Sequence, residues 1–304
     1  MGMTAHMIEP RVGIVMITWQ RREEALGAVR RLLELPERPP VVVVDNGSTD
    51  GTADAIRAAH PSVEVIALDA NLGAVGRNIG VRHLRTPYIA FCDDDTWWEP
   101  GSLARAADVL DSHPRLGLVN ARIVVEPAGT DDPIVDELRE SPVIGPDWLP
   151  GPALGSFLAG ASMVRRQAFD EAGGFDRRLR LGGEEELLAT DLIGAGWEIC
   201  YLEDVVVHHH ASPARDATGR RREGLRNTLW FTWLRRPARP ALRRTLFLAL
   251  TVPRDRTSAL AFWDAARGLP WLVRNRRPRP PQVERRLSAL DEAQRRSVAR
   301  RYIG

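Results

Sequence analysis

The chain has no lysine; all 42 of its basic residues are arginine, a bias that speaks of a GC-rich bacterial genome more than of any function. Cysteine is almost absent as well. Cys92 and Cys200 each sit inside a strand-like apolar run, the pattern of two reduced core thiols, which argues against a disulfide-stapled secreted scaffold. Long hydrophobic runs are missing: the best, Thr245 to Val252, has eight residues, far short of the ~20 that span a bilayer. The amino terminus MGMTAHMIEPRVG lacks the basic and apolar regions of a signal peptide, so the expectation is a cytosolic protein. What is present, 304 residues of which 44% are apolar, suffices for one large domain or one domain with an appendage.

The net charge of +2 conceals an asymmetry. Residues 1 to 210 hold 19 Arg against 33 Asp and Glu, a net of −14, whereas residues 211 to 304 hold 23 against 7, a net of +16. Two regions with different partners are implied.

Through the acidic part, strand and helix patterns alternate. Val12 to Thr18, Val41 to Asp45, Val63 to Ala67 and Tyr88 to Asp93 read as strands; Arg22 to Leu35, Gly51 to His60 and Val75 to Leu84 read as helices. Repeated βαβ units with continuous β-branched runs such as Val41-Val42-Val43-Val44 predict a mostly parallel sheet covered on both faces, with ligands gathered beyond the carboxyl ends of its strands. The polar segments fall there: Thr18 to Arg21, Asp45 to Asp50, Asn71 to Arg77 and Asp93 to Asp95. In the last of these, three adjacent carboxylates follow a buried strand and repel one another unless a cation joins them. Strand alternation would send Asp93 and Asp95 to one face and Asp94 to the other, giving a pair of hard oxygen ligands for Mg2+ or Mn2+. An acidic turn in which Asp95 or Thr96 caps a helix from Pro100 to Leu110 is the alternative.

VVVVDNGSTDGT at 41 to 52, NLGAVGRNIGV at 71 to 81, FCDDDTWWEPGSL at 91 to 103 and GGFDRRLRLGGEEELLATDLIGAGW at 173 to 197 together resemble the family 2 glycosyltransferases, inverting enzymes of GT-A fold that use nucleotide-activated sugars. The resemblance covers about residues 12 to 212, and four motifs in order and spacing make it specific. It implies a GT-A domain over residues 1 to 212, followed by a helical, arginine-rich region over 213 to 304. It also implies a UDP-, dTDP- or GDP-linked donor, held by Thr18, Asp45, Asn71, Gly73, Arg77, Asp93 and Asp94. Asp45 is then the base-binding carboxylate, Asp95 the direct Mn2+ or Mg2+ ligand, and Asp93 the residue near the ribose or the metal.

Each motif also has a reading of its own. Gly73 and Gly76 permit close backbone approach, and the helix starting near Val75 offers N–H groups to an anion, with Arg77 as a planar donor fork. Asn46-Gly47-Ser48 can be an ordinary turn before a helix. Trp97 and Trp98 are either a stacking platform for a sugar or one core and one surface residue.

Inverting transfer needs a base for the acceptor hydroxyl. Where the family has the Asp of a Glu-Asp pair opening a helix, this chain has Glu185 after Glu184, which leaves the base open between Glu184, Glu185 and Glu186. His208-His209-His210 ends the run Val205-Val206-Val207; the resemblance points to His208 as a third metal or diphosphate contact, with His210 on the same face of an extended strand and His209 on the other. Residues 121 to 157, rich in Pro, Gly and Asp, are where an acceptor-binding loop would lie. A strand from Ser156 to Val164 follows, in which Gly160-Ala161 would leave room for the donor sugar or for close helix packing.

Leu225 to Leu234, Leu242 to Val252, Ser258 to Val273 and Val283 to Arg301 read as arginine-rich amphipathic helices. With Trp230, Trp233, Trp263 and Trp271 they would form either an interfacial membrane surface or helices packed on the catalytic part. No nucleic-acid recognition motif is present. The expected activity is inverting transfer of a sugar to a hydroxyl acceptor, with a lipid-linked acceptor at the cytoplasmic face of the inner membrane if the basic region docks there. A sugar-phosphate nucleotidylyltransferase is the rival, although Ile17-Thr18-Trp19-Gln20-Arg21 lacks the Gly-rich loop and Lys it would carry; a non-catalytic nucleotide-sugar-binding homologue is another.

Overall fold

The computed structural model describes residues 10–210 and 217–296. In chain order the elements are β1 Val12–Thr18, α1 Arg22–Leu33, β2 Val41–Asp45, α2 Thr52–Ala59, β3 Glu64–Ala67, α3 Val75–His83, β4 Tyr88–Asp93 and β5 Thr96–Trp98. They continue as α4 Ser102–Ser112, β6 Leu116–Val125, β7 Thr130–Asp131, α5 Ile134–Arg139, β8 Ser162–Arg165, α6 Arg166–Ala172, α7 Glu184–Gly194 and β9 Glu198–His209. The last five are helices: α8 Ala217–Arg235, α9 Ala238–Thr251, α10 Arg256–Arg267, α11 Leu269–Asn275 and α12 Pro281–Arg296.

One sheet runs in the order β3-β2-β1-β4-β8-β6-β9-β5, with β7 added to β6. The long ladders, β1 with β2 and β4 and β6 with β9, are parallel, and the short ones made by β5, β7 and β8 are antiparallel. The apolar runs bury as continuous parallel strands should: Ile14, Val15, Met16, Val43, Val44, Ile89, Ala90 and Phe91 are sealed from solvent between helices. The expected βαβ alternation holds to within a residue or two at element ends. In the last part, α8 begins eight residues before the expected Leu225 and α9 four before the expected Leu242, and three further expectations change. The helix expected from Pro100 starts at Ser102 after a short strand; the strand expected over Ser156–Val164 is a 3₁₀ turn, Ala159–Ala161, followed by β8; and Ser258–Val273 breaks at Gly268 into α10 and α11 because Pro270 opens a new helix.

The expected boundary at 212 lies outside the described residues. Beyond it, α8 packs on the catalytic part through apolar residues of both: Leu179 and Leu187 share one core with Leu225, Leu229, Phe231, Leu248 and Leu272. The loop 181–183 meets α8 at backbone distance. Asn227 donates its side-chain N–H to the Leu181 carbonyl at 2.9 Å, and a Cβ on Gly182 would stand 2.6 Å from the Cα of Gly224. Gly182 also has φ +78°, where an L side chain is strained. Gly182→Ala should therefore destabilise the protein by about 1–3 kcal/mol, whereas Gly224→Ala, whose Cβ would enter open space, should be near neutral in the same thermal melts.

Candidate active site

The aspartate triplet does not continue the strand. β4 ends at Asp93, the chain turns through Asp94 and Asp95, and it returns as β5. The Thr96 hydroxyl closes the turn by accepting the Asp93 N–H at 2.8 Å, while the Cys92 thiol donates to the Thr96 carbonyl at 2.9 Å. Strand alternation, which would have split the carboxylates between two faces, is thus replaced by a turn that brings all three to one cleft of about 840 Å³.

Arginine holds them there. Arg21 Nη1 donates to Asp94 Oδ1 at 2.9 Å and to Asp95 Oδ2 at 3.0 Å, and Arg77 pairs with Asp93. Thr18, at the end of β1, gives its hydroxyl to Asp94 Oδ2 at 2.9 Å and so positions a carboxylate from a buried site. Burial pushes Asp94 up to about 6 even against the pull of Arg21. In the sequence Arg21 stands out only as part of a polar strand end. Its loop is fixed by Gln20, which accepts the Thr49 N–H and donates to Thr49 Oγ1 and Ser48 Oγ.

The histidine facing the triplet is His209. Register decides this: Thr96 pairs with His209 and Trp97 with His208 across β5 and β9, so His209 shares the cleft side with Thr96 and His208 the far side with Trp97. His209 Nε2 lies 3.9 Å from Asp95 Oδ2. His208 instead stacks on Trp97 with ring centroids 5.4 Å apart and hydrogen-bonds Glu126. His210 is exposed and donates its backbone N–H to the Asp95 carbonyl. Trp98 is core, its indole N–H on the Phe91 carbonyl, and Trp97 lies between His208 and the Arg31 guanidinium; neither lines the cleft.

At the start of α7, Glu184 and Glu185 both line the cleft, whereas Glu186 does not. Glu185 Oε1 accepts the Ala159 N–H at 2.6 Å, and burial raises its carboxyl to about 7. Glu184 is more deeply buried, its Oε2 has no hydrogen-bond partner among the described residues, and desolvation holds its pKa well above 4.5. Arg77, only 5% exposed, likewise leaves Nε without a hydrogen-bond partner among the described residues. Both atoms belong to cleft-lining residues. The 3₁₀ turn joins both halves of the site: Ala159 holds Glu185, while a Cβ on Gly160 would fall 2.6 Å from Asp93 Oδ2. The small residue expected to make room for a sugar thus makes room for Asp93. Asn120, fully buried, holds this turn by accepting the Leu158 N–H at 2.7 Å.

Other expected contacts turn inward. Asp45 accepts from the backbone and hydroxyl of Ser48 and does not line the cleft; its neighbour Asn46 does. Asn71 lines the cleft but spends Oδ1 on the Gly73 N–H at 2.8 Å. Gly73 packs its Cα against the Arg180 carbonyl, and the N–H groups of Ala74, Gly76 and Arg77 are taken by the carbonyls of Arg180, Gly73 and Ala74. The start of α3 is therefore closed by protein, which weakens its reading as an anion cradle. Contributions the sequence did not signal come from Asp132, in the irregular segment expected to serve the acceptor, and from Arg220 and Glu223 of α8 at the cleft.

This fold and cleft are those of a nucleotide-sugar glycosyltransferase of GT-A type. The chain belongs to glycosyl transferase family 2, whose pattern matches residues 13–173. It is 30% identical over 257 residues to the N-acetylglucosaminyl-diphospho-decaprenol L-rhamnosyltransferase of Mycobacterium tuberculosis, covering 70% of this chain and 82% of that one. A Bacillus subtilis glycosyltransferase, YwdF, is 27% identical over 55% of this chain and 62% of its own. The mannosyltransferase PcManGT of Pyrobaculum calidifontis, solved with GDP-Man and Mn2+, superposes with a TM-score of 0.56 at 21% identity, over 94% of this chain and 76% of its own. S. aureus TarS with UDP-GlcNAc gives 0.53 at 15%, over 73% and 66%. The family match decides against a nucleotidylyltransferase.

Among the described residues no group of three or more metal-ligating side chains is assembled. The donor set still fits a hard divalent cation, because Mg2+ and Mn2+ are commonly held by one or two protein ligands and completed by phosphate and water. Asp95 and His209, too far apart for a hydrogen bond to each other at 3.9 Å, are such a pair, with Asp93 beside them.

Glu184 generates a prediction about stability. Its folded-state pKa is raised, so between 4.5 and that value the native state binds more protons than the unfolded chain, and stability falls as pH rises. Glu184→Gln should abolish that component: the melting temperature of the variant should gain on the wild type between pH 5 and pH 8. A parallel pH dependence in both proteins would show that Glu184 is ionised in the fold.

Proposed function

We propose that the protein catalyses metal-dependent, inverting transfer of a sugar from a UDP-, dTDP- or GDP-linked donor to a hydroxyl of a lipid-linked acceptor, in assembly of a bacterial cell-surface glycan at the cytoplasmic face of the inner membrane. Residues 1 to 212 act as the donor-binding and catalytic part, and 213 to 304 as a basic helical part. The observation that carries the reading is the convergence in one cleft of Asp95 with His209 and of Glu184 with Glu185. The rhamnosyltransferase relative, named for a diphospho-decaprenol-linked sugar, supports the lipid-linked acceptor.

A bound Mn2+ or Mg2+ supplies neutralisation of the charge that builds on a departing nucleoside diphosphate. Asp95 and His209 would hold it, with Asp93 fixed by Arg77 at the ribose and metal side. Glu185 takes the acceptor proton. It is the less buried of the two glutamates, its orientation is set by the Ala159 N–H, and a carboxyl raised to about 7 combines an available anion with useful basicity at neutral pH. The family's Asp is here one methylene longer, and the Ala159 hydrogen bond draws the extra reach back against the 3₁₀ turn.

Glu185→Gln should lose ~10²- to 10⁴-fold in transfer while binding donor normally, and the wild-type kcat/KM should climb as pH rises through about 7, since only the ionised carboxylate accepts a proton. Nucleotide release with and without acceptor reads both. An active Glu185→Gln beside an inactive Glu184→Gln would move the base by one residue. Asp95→Ala should remove Mn2+-dependent donor binding in calorimetry while leaving the melting curve cooperative; unchanged affinity that still requires metal would take Asp95 out of the site.

A further inference from the structure

We propose that the outer faces of α9, α10 and α11 form a docking surface for an anionic lipid bilayer. The inference rests on the lipid-linked acceptor for its purpose, and on the surface itself for its evidence. Each of these helices packs an inner side on α8 and leaves an apolar side in water. On α9 the buried residues are Ala241 and Leu248, while Leu242, Leu246 and Leu250 stand 51%, 54% and 74% exposed. At ~100° per residue, those three leucines lie in one arc with Arg239 and Arg243.

The same pairing recurs on the neighbours. Trp263 of α10 is 63% exposed, one turn from Arg267 and two from Arg256. On α11, Leu269 and Val273 are exposed beside Arg274. Three successive helices exposing large apolar residues is unusual for a face meant for water alone.

The occupant follows from charge. Residues 236–254 and 265–283 contain no Asp or Glu. The acidic residues Glu284 and Asp291 pair with buried Arg236, Asp255 with Arg221 and Asp264 with Arg222. Arg235 and Arg279 meet Asp191, and Arg286 meets Glu198. Internal pairing with the acidic catalytic part thus uses arginines of α8, α12 and the linker before it, and among the described residues no ion pair engages Arg239, Arg243, Arg256, Arg267 or Arg274. A cationic, leucine-bearing face without acid suits anionic headgroups over acyl chains. The tryptophans matter less than the sequence suggested: Trp230, Trp233 and Trp271 pack inside, with Trp230 edge-on to Trp271, and Trp263 is the exposed one. No helix among the described residues is long and apolar enough to cross a membrane.

Deleting residues 213–304 would strip α8 from the catalytic loop, so the full chain carries the test. Flotation with vesicles of phosphatidylglycerol and phosphatidylcholine, against phosphatidylcholine alone, should show binding only to the anionic lipid, weakened by salt. The double variant Leu246→Glu/Leu250→Glu should lower the partition at least about tenfold, with donor binding and melting temperature held. Equal binding to neutral vesicles, undiminished binding of the double variant, or a wild-type dimer that the double variant dissociates would each overturn the proposal, the last by covering the face with a second copy. No donor or acceptor is present in the assay, so it reads independently of glycosyl transfer; Glu185→Gln should float like the wild type.

Discussion

Repulsion among carboxylates is the constraint around which the site is arranged. Asp93, Asp94, Asp95, Glu184 and Glu185 share one cleft, and the arginines hydrogen-bonded to the aspartates are Arg21 and Arg77. Desolvation by burial, reinforced by the neighbouring carboxylates, raises Asp94, Glu184 and Glu185. Under the proposed function the same surplus of negative charge would attract a divalent cation, and cation and protons would then compete for oxygens in the cleft.

The cleft is also tied together through the backbone. The 3₁₀ turn Ala159–Ala161 touches Asp93 through the bare Cα of Gly160 and holds Glu185 through the Ala159 N–H, and it is itself held by buried Asn120 on β6. Asp93 and Glu185 are therefore spaced by one three-residue turn. Glu185, the proposed base, is held there by a backbone N–H.

Much of this was legible in the sequence, for a local reason. β-branched runs between short helical periods identify β1, β2 and β4 and their carboxyl ends, because burial on both faces leaves the pattern in consecutive residues. The Asp and Glu motifs followed from position alone. What was illegible depended on pairing. His209 faces Asp95 because β5 aligns Thr96 with it, and β5 exists only because the chain reverses at Asp94 and Asp95. Counting along β9 does not help, since its register with β6 jumps from Leu202 opposite Ala121 to Val206 opposite Arg122. Arg21, Asn120, Arg220 and Glu223 carry no local signature. They matter through what the fold places across from them. Asp45 and the start of α3 show the reverse: local patterns suited to a ligand whose hydrogen-bonding capacity the protein spends on itself.

The role of α8 explains why a basic region and an acidic cleft belong to one chain. Its amino-terminal part supplies Arg220 and Glu223 to the cleft, Gly224 and Asn227 seat the loop that leads into Glu184, and Trp230 receives α10 and α11. At 1.5 Å of rise per residue, Arg220 and Trp230 are ~15 Å apart along the axis. The two parts of α8 thus serve different surfaces, the cleft at Arg220 and the packing of α10 and α11 at Trp230. The arginines that clamp Asp191 and Glu198 fix the helices to the catalytic part, and those of the outer faces that form no ion pair among the described residues are left to the proposed lipid surface.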